Sequence, residues 1–90
     1  MSGLWVAKLH ISPRVEAKIN NFHGITADEV RDEVECVEGL DYAYSFHEAR
    51  GWRWLVKTRI RGRPALVVLY EVNDPIGDVY RLGSAYFIDQ

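Results

Sequence analysis

From Trp52 to Arg61 the chain alternates without a break. Trp52, Trp54, Val56, Thr58 and Ile60 fall on one side, and Arg53, Leu55, Lys57, Arg59 and Arg61 on the other. A period of two fits a β-strand and no helix, because successive side chains of a strand point to opposite faces. One face is therefore apolar and the other strongly basic, and any fold must bury the first and leave the second in solvent. The same period runs through Tyr42 to His47, where large aromatic residues alternate with small or polar ones. Arg61-Gly62-Arg63-Pro64 reads as a turn. Leu66 to Val72 is apolar on both faces until Glu71, as an interior strand is. Asn73 to Asp78 reads as a second turn, and Val79 to Ile88 as the last strand.

The period differs in the first half. Gly3 to Ile11 is short and apolar, which suits a strand, and Ser12-Pro13 has the residues of a helix start, with Ser as N-cap and Pro at the first helical position. Val15, Ile19 and Phe22 recur at helical spacing, and Gly24 supplies the left-handed stop. Thr26-Ala27-Asp28-Glu29 is a capping box, followed by a stripe of Val30, Val34 and Val37 and a stop at Gly39. The expected fold is α+β in a single domain over residues 1–90: strand, helix, helix, then a four-strand antiparallel meander, with both helices on one sheet face.

Composition narrows the function classes. No apolar run approaches the roughly 18 residues of a membrane span, and the N-terminus has no basic region before an apolar stretch, so a cytoplasmic protein is expected. The lone Cys36 excludes an internal disulfide and a multi-cysteine zinc site; between Val34 and Val37 it reads as a buried, inert thiol. The net charge of −2 conceals an asymmetry: nine acids and four bases in residues 1–49, four acids and seven bases in residues 50–90. The basic half suits a polyanion, while the acidic second helix reads as a solvated face or a surface for a basic partner.

Alternate residues on one strand face lie about 6.6–6.8 Å apart, close to the spacing of phosphates along a nucleic-acid strand. Arg53, Lys57, Arg59, Arg61 and Arg63 thus form a ladder that either tracks an RNA backbone or keeps an exposed sheet soluble. His10, His23 and His47 share no metal-ligand spacing, so no metal and no cofactor are expected. Each histidine alone is more often structural, and His23 reads as a cation favoured at a helix C-terminus. Trp52 and Trp54 read as core rather than base-stacking platforms. Phosphate-loop, dinucleotide and serine-esterase motifs are absent from the sequence.

Three segments carry a family resemblance. His23-Gly24-Ile25-Thr26-Ala27-Asp28-Glu29-Val30 resembles the segment joining the two helices of BrnT-type toxins, in the RelE/ParE superfamily. Ile60 to Tyr70 resembles their hairpin, and Tyr80-Arg81-Leu82-Gly83-Ser84-Ala85-Tyr86 their closing strand. Ile11-Ser12-Pro13 to Val30 is similar to the opening of a related family of small RelE-like domains of unassigned function. The resemblance implies the toxin of a type II toxin–antitoxin pair, a metal-independent endoribonuclease that binds RNA and is covered by a cognate antitoxin. It carries over His23, Arg81 and either Arg59 or Arg61; Tyr86 stands where the family often has Arg, and Phe22 where it has Lys. In the implied reaction Arg81 with Arg59 or Arg61 stabilises the phosphate, Lys57 positions it, and His23 or Tyr86 moves protons; Arg53 and Arg63 extend the RNA contact. The alternative is a non-enzymatic module that grips nucleic acid or a protein partner through the same basic face, or a host protein through the acidic helix.

Overall fold

A computed structural model describes residues 3–72 and 77–89 of the chain. The elements are β1 (Lys8–His10), α1 (Pro13–His23), α2 (Ala27–Val34), β2 (Asp41–His47), β3 (Gly51–Ile60), β4 (Arg63–Glu71) and β5 (Val79–Phe87). The fold is α+β, as the two periodicities predict, and the five strands form one mixed sheet in the order β1-β5-β4-β3-β2. Strands β2 to β5 pair antiparallel with their chain neighbours, and β1 lies parallel to β5. The expected turn over residues 73–78 lies mostly outside the described residues. No described helix is long and apolar enough to cross a membrane.

Local chemistry sets the helix ends. Ser12 Oγ accepts from the Val15 amide at 3.2 Å, and Pro13 opens α1 at no cost in hydrogen bonds. Gly24 closes it at φ 66°, donating to the Asn20 carbonyl. In α2 the Thr26 hydroxyl accepts from the Glu29 amide, and the Glu29 carboxylate accepts in return from the Thr26 amide.

Four sequence expectations change here. The second helix stops at Val34 rather than near Gly39, because the next residues are tied to β1 and to the chain just before it. Glu35 Oε2 accepts from the Leu9 amide at 2.8 Å, and the Cys36 amide donates to the Val6 carbonyl at 2.8 Å. Cys36 is consequently exposed in a left-handed conformation (φ 57°), not buried on a helix. The first strand is three residues long, although Leu4 and Val6 ahead of it are still buried. Phe22 continues the stripe of α1 in sequence but is 77% exposed; Ile25, just past the cap, is fully buried instead.

One sheet face carries the core. Val56, Ile60, Ala65, Val67, Leu69, Leu82 and Ala85 pack there against Ile19 of α1, Val30 and Val34 of α2, and Leu4, Val6, Leu9 and Ile25. The helices cover only part of this face. Tyr42, Tyr44, Phe46 and Trp52 continue it in register across β2 and β3, yet all four are exposed. Trp52, expected in the core, is 52% exposed because alternation fixes which face a side chain is on, not whether a helix reaches it.

Candidate functional site

The opposite face carries the basic residues. Strand register places Ser45, Arg53, Tyr70, Arg81 and His10 in one row across all five strands. A parallel row four residues back along β4 holds Asp41, Lys57, Leu66 and Tyr86. The expected separation of Arg53 and Lys57 from the tryptophan face is therefore what the pairing gives.

Arg81 is the best-built position. Its guanidinium lies 4.6 Å from the centre of the Tyr70 ring, a cation–π contact, and the ring itself is buried. Tyr70 in turn lies against Gly83, where any Cβ would run into ring carbons Cε2 and Cδ2. Gly83 is the extra residue of a bulge: Leu69 pairs with Leu82 and Val68 with Ser84. The chain of support thus runs from a glycine that only a missing side chain satisfies, through an aromatic ring, to a cation.

Other cations converge on Arg81 from distant parts of the chain. A concavity of about 340 Å³ is lined by Arg14 and Lys18 of α1, Arg50 of the β2–β3 turn, Arg81, and Val15, Leu82 and Gly83. Lys18 Nζ donates to the Gly83 carbonyl at 3.0 Å, at a point on β5 beyond the residues that β1 pairs. Arg81 and Leu82 also line a neighbouring hollow of about 530 Å³, with Lys8, His10, Ser12, Arg31 and Glu35 among its walls. In the same row as Arg81, Arg53 Nε is buried without a hydrogen-bond partner.

His23 and Tyr86 come together at the far end of α1 and β5, with ring centres 5.9 Å apart and planes tilted by 43°. Helix and strand run side by side in one direction here, Lys18 meeting Gly83 and His23 meeting Tyr86. The row positions of Arg81 and Tyr86 differ by four residues of β4, about 14 Å. The His23–Tyr86 pair and the cationic concavity therefore lie along one track, not at one point.

The hairpin arginines are engaged elsewhere. Arg61 and Gly62 both have positive φ (54° and 75°), the two-residue turn whose twist matches a hairpin. The Arg61 guanidinium bonds Glu29 Oε2 at 2.7 Å and the Gly24 carbonyl, fixing the helix junction to the hairpin tip. The Glu29 carboxyl is held below its ordinary range, first by the Thr26 amide and then by Arg61. Arg63 pairs with Asp89 at 3.0 Å and stacks 3.8 Å from the Phe87 ring centre; the pairing lowers the Asp89 carboxyl and raises the guanidinium. Arg59 donates to the Gly62 carbonyl and lines an open hollow with Lys57, Glu33 and Asp41.

The ladder is thus divided: Arg53 and Lys57 lie in the rows of Arg81 and Tyr86, Arg59 bonds within its own hairpin, and Arg61 and Arg63 form ion pairs at the hairpin tip. Arg14, Lys18 and Arg50 were not among the residues that sequence reasoning selected. The spacing of Arg14 and Lys18, four apart on a helix, was the available signal; Arg50 had none. Among the described residues, no group of three His, Cys, Asp or Glu side chains is placed to hold a metal ion. No protein-family model matches the chain, and neither a curated protein nor a solved structure matches it.

Proposed function

We propose that the chain is a RelE-like toxin of a type II toxin–antitoxin pair that binds single-stranded RNA along the track between α1 and β5 and cleaves it without a metal. The observation that carries this reading is the convergence of Arg14, Lys18, Arg50 and Arg81 from three parts of the chain on one concavity that holds no acidic side chain. Such a cluster repels itself unless an anion is bound, and a phosphodiester backbone supplies anions in series. The resemblance of the helix junction, hairpin and closing strand to BrnT-type toxins supports the choice of RNA.

In the proposed reaction the 2′-oxygen attacks the adjacent phosphorus and the 5′-oxygen leaves. The products are a 2′,3′-cyclic phosphate and a 5′-hydroxyl. One of His23 and Tyr86 accepts the 2′-hydroxyl proton and the other protonates the leaving oxygen, a contribution of roughly 10²–10⁴ in rate for such groups. Lys18, about 7.5 Å along α1 from His23, neutralises charge one nucleotide away, and Arg81 and Arg53 hold the strand further on. A cognate antitoxin would cover the same basic face with acidic side chains.

The test is incubation of the purified chain with single-stranded RNA in excess EDTA, beside Arg81→Ala and a His23→Ala, Tyr86→Phe double variant. Turnover abolished in the double variant and reduced about tenfold or more by Arg81→Ala is expected. Full turnover by the double variant would contradict the assignment. The 14 Å between the rows of Arg81 and Tyr86 favours a second reading, a module that binds RNA without cleaving it. Salt-sensitive stoichiometric binding with no turnover would select that reading.

A further inference from the structure

The uncovered part of the core face ends at a strand edge with unusual properties. β2 pairs with β3 alone, so its outer backbone groups face solvent along all seven residues. Exposed edges in monomers are usually blunted by lysine, proline, a bulge or extreme shortness. Asp41-Tyr42-Ala43-Tyr44-Ser45-Phe46-His47 contains neither lysine nor proline, and its register with β3 is unbroken. Tyr44 and Phe46 also belong to a surface aromatic cluster. Tyr44 stacks on Trp52 at 4.7 Å and 17°, Phe46 meets Trp52 edge-on at 5.2 Å, and Trp54 bridges from Tyr44 to Tyr80.

The strand is complementary to itself. Laid antiparallel on a second copy about a twofold axis at Tyr44, it sets Tyr44 across from Tyr44, Tyr42 from Phe46, and Ala43 from Ser45. Asp41 of each copy then faces His47 of the other. His47 Nδ1 accepts from the Ala49 amide at 3.2 Å, so in the neutral ring the proton is on Nε2, free to donate to that carboxylate. A slip of one residue would turn the partner's aromatic side chains to the opposite face, and a slip of two would pair only five residues and lose both Asp–His contacts. One register alone joins aromatic to aromatic, small to small and acid to imidazole over the whole strand.

We propose that β2 is a homodimer edge: two copies join their sheets through antiparallel β2–β2 pairing centred on Tyr44, making one ten-stranded sheet with a shared aromatic face. The pairing covers the bare edge and places the two Tyr44 clusters in cross-strand contact, where aromatic pairs and opposite charges stabilise. It leaves the basic face of each copy open.

Sedimentation of the full chain over a concentration series, up to several hundred micromolar, tests it. A reversible dimer is expected. Tyr44→Lys puts two like charges on the twofold axis and should weaken association about a hundredfold; circular dichroism reports whether that variant is folded. A charge exchange keeps the test independent of Tyr44 packing. Asp41→Lys alone and His47→Glu alone should each weaken the dimer about tenfold, since symmetry applies each change twice. The double variant should recover it. Residues 41 and 47 lie about 20 Å apart on one strand, so recovery can arise only between copies. A wild-type monomer throughout, a dimer indifferent to these changes, or single effects without recovery would each overturn the proposal.

Discussion

Two groups of cations occupy opposite ends of this molecule, and they do different things. At the hairpin tip, Arg61 and Arg63 each meet a carboxylate, Glu29 at 2.7 Å and Asp89 at 3.0 Å. At the other end, Arg14, Lys18, Arg50 and Arg81 surround one concavity, and among the described residues none of them forms an ion pair. The first group joins chain segments, since Arg61 ties the β3–β4 turn to the junction of α1 and α2. The second group stores repulsion that an anion relieves. Sequence neighbours such as Arg59, Arg61 and Arg63 are therefore poor guides to one another's roles, and the acid brought alongside by the fold decides.

The largest expected effect comes from the support beneath Arg81. Gly83→Ala forces a methyl into the Tyr70 ring and should cost about 2 kcal/mol, lowering the melting temperature by roughly 8–16 °C. It should also weaken RNA binding as Arg81 loses its platform. A variant of unchanged stability and affinity would show that Tyr70 moves aside freely.

A smaller effect is expected at the hairpin tip. Arg61→Ala should destabilise by about 1 kcal/mol, because the guanidinium is half exposed and solvent screens its pairing with Glu29. Its share through Glu29 depends on pH. The folded carboxyl titrates below the unfolded one, so the contribution is complete above the ordinary glutamate range and is lost as pH falls through the folded value. Urea midpoints of wild type and Glu29→Gln should accordingly differ at pH 7 and converge in acid. A difference that grows on acidification would contradict this sign.

Much of the fold was legible because local chemistry and tertiary packing agree. Ser12-Pro13, Gly24 and the Thr26–Glu29 capping box mark helix ends where the chain has them, and the period of β3 assigns both its faces. What sequence could not supply was how far each cover extends. Phe22 and Trp52 fit their stripes, yet no element reaches over them. Cys36 fits a helix, but the tie between Glu35 and Leu9, 26 residues apart in the chain, ends α2 first. The candidate site was half legible: Arg81, His23 and Tyr86 lie along the track, whereas Arg50 joins them only through the curl of the β2–β3 turn.

The most direct test of the division between the two groups is the affinity of a short single-stranded RNA carrying 2′-O-methyl groups, which block cleavage, measured across a salt series. For three or four neutralised phosphates, log K should fall against log[salt] with a slope of about −2 to −3. Arg81→Ala should weaken binding and reduce that slope by about 0.7, while Arg61→Ala should leave both unchanged. A flat salt response, or equal losses from Arg81→Ala and Arg61→Ala, would contradict the account.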